Sequence, residues 1–289
     1  MSESVIADFV GKFNSSAAER GEPIQGRVLL SKKRLVLATD GDKLTIPLSK
    51  IFDVAVGQVP PDFGDFFDST VTIAFNRNDH RHVAAVEASD DKIEKFSTVL
   101  FKALLNGTTM MVKHPARIGG RVTGEEFQSA KLILKRRKVE FKSSASSFTV
   151  DLSTVTSFDQ KKREIAGSTR EVLEVRHMED GQAITSLAAI NSARKMSILG
   201  RYLRLEYSDI MEEIEDIDLS EEETELLVAV YSSEPGVSLA GVLGKEPSQV
   251  TMMLNDLTEA DLLRDGTDST ELTAKGRIIV SNKLEDVNA

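Results

Sequence analysis

Residues 27–51, RVLLSKKRLVLATDGDKLTIPLSKI, align without a gap on residues 131–155, KLILKRRKVEFKSSASSFTVDLSTV, at an offset of 104. Both stretches read as an apolar strand, a basic corner, a second strand, a polar turn, a third strand and a leucine-serine step (Leu48-Ser49 and Leu152-Ser153). Apolar residues alternate with period two, as Leu35/Leu37 and Val139/Phe141 show, which is strand rather than helix spacing. Asp40, Gly41 and Asp42 in one copy, and the serine-rich run 143–147 in the other, supply the turn chemistry a hairpin needs. An internal repeat therefore organises the first two thirds of the chain.

Working outward, each copy continues through further strands, VTIAF from Val71 and EVLEV from Glu171, and then reaches an amphipathic helix. The first helix is predicted over residues 89–107, with Ser89 as N-cap, acids in the first turn and Gly107 as the stop. Its buried face is Ile93, Phe96, Leu100 and Leu104; from Asn191 the counterpart places Met196, Leu199, Leu203 and Leu205 on one face. About a hundred residues of antiparallel strands closed by one helix is the plan of a pleckstrin-homology-like barrel, and two are expected in tandem, over residues 1–108 and 109–210.

An acidic linker, 211–219, leads to a third region over residues 220–289. A glutamate-rich helix starts at Ser220, and Glu234, Pro235 and Gly236 end it. A short helix follows from Ser238, then a longer one over 247–263 opened by Pro247, with Val250, Met253, Leu254, Leu257 and Leu262 facing inward. DGTDST forms the tip of a hairpin between Leu262-Leu263-Arg264 and Glu271-Leu272-Thr273, and a last helix closes the chain. Helices and hairpin in this order give a C-terminal winged helix-turn-helix domain. The fold class is thus α+β.

Charge divides the chain unevenly. From Asp218 onward there are 15 acidic and 5 basic residues; taken from totals of 46 and 36, this leaves 31 of each before it. The whole net charge of -10 sits on the terminal region. Its longer helix, where a winged helix reads DNA, has no Lys or Arg but carries Asp256, Glu259 and Asp261. DNA affinity depends on roughly 6–10 neutralised phosphates, so this surface is expected to dock protein and not nucleic acid. Met252 and Met253 are neighbours, and at about 100° per residue both cannot point inward. Met252 is the candidate docking residue.

Chemistry leaves no signature. The absence of Cys removes disulfides, thiolate metal sites and thiol nucleophiles, and fits a reducing compartment. The first residues, MSESVIADFVGKF, are acidic at Glu3 and Asp8 and unlike a signal peptide, and no apolar run is long enough to span a bilayer. Gly241 to Lys245 lacks phosphate-loop spacing, and no nucleophile-elbow serine occurs. His80 and His82, two apart, have only Asp79 beside them and read as solvated. No catalytic residue, cofactor or metal is expected.

Two basic corners remain, Lys32-Lys33-Arg34 and Arg136-Arg137, at equivalent points of the two copies; Lys161, Lys162 and Arg163 form a third cluster. Such residues can meet lipid phosphates or an acidic protein; more plainly, charge on a tight turn keeps a sheet edge from pairing with strangers.

Nearly the whole chain resembles CheF, an archaeal taxis adaptor family. The resemblance rests on GRVLLSKKRLVLAT from Gly26, IPLSKIFDVAVGQVP from Ile46, VKHPARIGGRVT from Val112 and LTAKGR from Leu272, in that order. It implies a non-catalytic cytoplasmic adaptor between the phosphorylated response regulator CheY and the archaellum motor switch complex, at the motor's cytoplasmic face, and an elongated homodimer. Response regulators offer lysines and a hydrophobic slot, so Met252, Asn255, Asp256 and Glu259 are assigned to CheY binding. Lys32, Lys33, Arg34, Arg136 and Arg137 are assigned to the motor or another acidic partner. The alternative is a winged-helix transcription regulator with the repeats as sensor.

Overall fold

The computed structural model describes all residues except 1–3, 19–21, 64, 65, 67, 145, 166, 180, 181, 234–236, 267–269 and 289. The expected helix break at Glu234, Pro235 and Gly236, and the hairpin tip at 267–269, lie outside the described residues.

The first copy contributes β1 (Val5–Ser15), β2 (Ile24–Ser31), β3 (Arg34–Ala38), β4 (Lys43–Pro47), β5 (Ile51–Val56), β6 (Ser69–Arg77), β7 (His80–Ala88) and helix α1 (Asp90–Leu105). The second contributes β8 (Thr109–Ile118), the two-residue β9 (Arg121–Val122), β10 (Gln128–Lys135), β11 (Lys138–Lys142), β12 (Phe148–Asp151), β13 (Val155–Ile165), β14 (Ser168–Glu179), β15 (Gln182–Ala189) and helix α2 (Ala193–Glu215). The strand paths are β4-β3-β2-β1-β7-β6-β5 and β12-β11-β10-β8-β15-β14-β13, with β9 pairing β8 off the path. Both run through the same order, copy for copy, and both are open, antiparallel sheets.

The offset of 104 holds at the level of single bonds. A 3₁₀ turn at Leu48–Lys50 follows β4, and one at Leu152–Thr154 follows β12. Leu48 N–H donates to the Lys33 carbonyl at 2.9 Å, and Leu152 N–H to the Arg137 carbonyl at 2.7 Å. Each basic corner is thus tied by its backbone to the leucine-serine step. Alternation sets which residues meet the core: Val28, Leu30, Leu35, Leu37, Ile46, Ile51, Ile73 and Phe75 are essentially without solvent contact. At the opposed pair Gly11–Gly26, just before β1 begins to pair β7 as well as β2, a Cβ on Gly26 would run into the Ala38 carbonyl and the Phe13 ring. Such close backbone approach is what glycine permits.

Two compact units result. One comprises Met1–Thr109, Lys131–Leu134 and Ile190–Leu205; the other Met110–Ala130, Lys135–Ala189 and Glu206–Ala289. In the first, α1 buries Ile93, Phe96, Leu100 and Leu104, and the opening half of α2 buries Met196, Leu199, Tyr202 and Leu203. The Phe101 and Tyr202 rings meet at 5.6 Å, and Arg201 grips Asp53 through two bonds of 3.2 Å. In the second, α2 runs on into the acidic segment as far as Glu215, because Ile210 and Ile214 keep the helical spacing and are buried. Hairpin β13–β14 is drawn out, its strands 11 and 12 residues long where β5 and β6 have 6 and 9.

The last elements are α3 (Glu221–Ser232), α4 (Leu239–Leu243), α5 (Pro247–Glu259), the hairpin β16 (Leu263–Asp265) with β17 (Thr270–Leu272), and α6 (Ala274–Asn288). They enclose a core of their own built on Leu226, Leu227, Val250, Met253, Leu257, Leu262, Leu263, Leu272 and Val280. No helix among the described residues is long and apolar enough to cross a membrane.

Candidate functional site

Helix α3 begins with a reciprocal cap. Ser220 N–H donates to the Glu223 carboxylate at 2.8 Å, and Glu223 N–H to Ser220 Oγ at 3.2 Å. Hydrogen bonds from the Ser220 hydroxyl and N–H hold the Glu223 carboxyl below the usual carboxylate range. Glu221, Glu222 and Glu223 fill the first turn, where the helix's partial positive charge favours anions.

Helix α5 starts at Pro247, whose missing N–H costs nothing there. Val250, Met253 and Leu257 point inward, and Leu254 is half-buried. Met252, 62% exposed, shares the opposite face with Asn255, Asp256 and Glu259 at helical spacing, so the fold brings all four assigned residues together in solvent. The helix ends four residues before the predicted 263. Asp261 takes a left-handed backbone (φ 59°), turning the chain so that Leu263 enters β16.

The acids of this region are largely left to solvent. Lys245 pairs with Glu222 at 2.6 Å, Arg264 with Glu271 at 3.0 Å and Lys275 with Asp261 at 3.6 Å. Asp256 and Glu259 are exposed and have no basic partner among the described residues. A cation-lined groove is not what this surface offers.

Sequence reasoning missed an apolar groove among the other terminal helices. Leu219, Thr224, Val228, Val242 and Leu243 line the groove, with Glu221, Glu225 and Lys283 among its walls. The available signal was the unbroken apolar run of residues 226–231 in α3, more than one buried face can hold. Leu226 and Leu227 go inward, Val228 stays half-buried and Tyr231 is 48% exposed.

The basic corners differ in how much charge they keep free. Lys32 and Lys33 are exposed in the β2–β3 turn, and Arg34 opens β3. In the second copy Arg136 is exposed, while Arg137 sits at φ 53° with its N–H donating to Glu206 at 3.0 Å. Its flanking lysines are engaged: Lys135 and Lys142 pair with Glu140 and Lys138 with Asp151. Lys161 and Arg163 of the third cluster are engaged too. Glu174, buried on β14, takes Lys161 at 3.2 Å and Arg163 at 2.6 Å. Burial pushes its carboxyl up, but those hydrogen bonds and charges outweigh it and hold the group below its ordinary value.

Comparison with known proteins agrees in one direction. The family described as Archaeal Chemotaxis signal transduction system protein F matches residues 5–209. Taxis protein CheF2 of Halobacterium salinarum is 48% identical over 288 residues, covering 100% of both chains. Taxis protein CheF1 of the same organism is 31% identical over 297 aligned positions, covering 99% of both. The acidic terminal region lies beyond the family match yet within both full-length relatives. A tandem antiparallel repeat, an acidic helical end and these likenesses make the chain a member of the archaeal chemotaxis signal transduction protein F family.

Proposed function

We propose that the chain is a non-catalytic adaptor that links phosphorylated CheY to the archaellum motor switch complex and so controls switching of rotation. In this reading the two repeats are pleckstrin-homology-like domains and the terminal region is a winged helix-turn-helix. The terminal domain docks CheY through Met252, Asn255, Asp256 and Glu259. The repeats build a homodimer and face the motor, with Lys32, Lys33, Arg34, Arg136 and Arg137 as contacts for an acidic partner.

The observation that carries this reading is the solvent face of α5: an exposed methionine among unpaired acids, on a helix without one Lys or Arg. A pliable thioether beside negative charge complements a lysine-bearing apolar slot, whereas it repels a phosphate backbone. Family membership supplies the signalling setting.

The test is a titration of CheY against the full chain, with and without an acyl-phosphate mimic. Affinity should rise with the mimic and fall about tenfold in the Asp256→Lys/Glu259→Lys double variant, since exposed charge pairs contribute about 0–1 kcal/mol each. Unchanged affinity in that variant moves the docking face off α5. Equal or absent binding with the mimic removes the adaptor reading.

A further inference from the structure

Histidines that sequence spacing did not connect come together in the second sheet. Strands β8, β15 and β14 are neighbours in that order. His114 lies on β8, Ser186 on β15, and His177 and Glu179 two apart on β14, hence on one face. Ser186 is paired across from Val175, which places its side chain on that same face. One ligand atom from each of His114, His177 and Glu179 lies within 4.8 Å of the other two.

The arrangement is held from outside. The His114 ring lies flat on Phe148, centroids 4.0 Å apart at 7°, and Phe148 stacks on Phe141 at 4.7 Å. The two imidazoles are nearly parallel, 5.8 Å apart at 16°. Ser186 Oγ is 2.7 Å from His114 Nδ1 and 2.9 Å from His177 Nε2. When His114 Nδ1–H donates to Ser186, its Nε2 lone pair faces the Glu179 carboxylate over 3.5 Å with no proton between them. In that tautomer the gap is one that a cation would fill. His177 is buried while the Glu179 side chain is 45% exposed, so the cluster has a wet side by which an ion enters.

We propose that His114, His177 and Glu179 bind a divalent transition-metal ion of the zinc class. Two imidazoles and one carboxylate are borderline donors that suit zinc or cobalt; too few oxygens are present for calcium or magnesium. Ligand distances of about 2.0–2.2 Å require the donors to draw together from their present spacing, a movement the rim position of Glu179 allows. Ser186 then acts as a positioning residue, holding the far nitrogen of His114 as hydrogen-bonded partners of metal-bound imidazoles do.

The experiment is a titration of tag-free, chelator-treated protein with Co²⁺, followed by visible absorption, then displacement by Zn²⁺. One tetrahedral cobalt spectrum per chain is expected, with a thermal midpoint that climbs with metal concentration. Glu179→Gln, at the rim and checked for its fold by circular dichroism, should weaken binding at least about tenfold. His177→Gln, checked for its fold by circular dichroism, should abolish it. The His80→Gln/His82→Gln variant should bind as the parent does. Absence of the cobalt bands at saturating metal, or binding that survives both Glu179→Gln and His177→Gln, overturns the site and leaves a hydrogen-bonded relay through Ser186.

Discussion

Arg194 Nη1 lies 2.6 Å from the Ile51 carbonyl oxygen, and the same nitrogen reaches the carbonyls of Ser49 at 2.8 Å and Leu48 at 3.3 Å. One guanidinium thereby closes the acceptors of the 3₁₀ turn that ends the first copy's leucine-serine step. Replacing it leaves partly buried carbonyls without a donor. Arg194→Ala should destabilise the protein by about 1–3 kcal/mol. Amide exchange at Leu48 should speed up as the turn loosens. A midpoint shift in Arg194→Lys as large as in Arg194→Ala would refute the role of a single donor nitrogen that an ammonium can partly replace.

Gly276 is a second point of close approach. A methyl group there would strike the Leu262 carbonyl oxygen and press on the Leu272 side chain. Thr273 fixes the same corner, its hydroxyl donating to Asp261 O at 2.7 Å and accepting from Gly276 N–H at 3.2 Å. Gly276→Ala should cost about 1–3 kcal/mol as overpacking. Limited proteolysis should then cut the terminal region first.

Acid should weaken the metal-free protein through His114 and His177. Both folded values are depressed to about 4 from an ordinary 6.5. Below pH 6.5 the unfolded chain takes up protons that the native rings refuse, so stability falls as pH drops from 6.5 towards 4. The slope is up to about 1.4 kcal/mol per pH unit for each ring. Urea midpoints across that window, in chelating buffer, should be steeper for the parent than for His177→Gln.

Glu174 anchors the drawn-out hairpin. Removing its charge in Glu174→Gln releases Lys161 and Arg163, whose side chains are 45% and 36% exposed and can rehydrate. The loss should therefore stay near about 1 kcal/mol, at the upper end for partly exposed pairs. Hydrogen exchange along β13 should rise while that of β11 stays fixed.

What the sequence revealed was whatever obeys a local period. The corner-to-leucine bond recurs at Lys33–Leu48 and Arg137–Leu152 because a gapless repeat preserves register, and register decides which side chain faces the core. Met252 was separable from Met253 because adjacent residues on a helix diverge by about 100°. The extension of α2 to Glu215 was hidden by acidic composition, although Ile210 and Ile214 kept the spacing. Nothing local announces His114 beside His177: three neighbouring strands create that meeting. His80 and His82 drew the eye only because they are close in sequence; His82 stacks on Phe75 at 5.7 Å instead.

The two copies keep one strand order while their hairpins differ in reach. Where β5–β6 is short, the corresponding β13–β14 ribbon reaches further out, and the path of the sheet is the same in both. A ribbon that leaves the sheet in this way can change length at its outer end without altering the pairing it springs from.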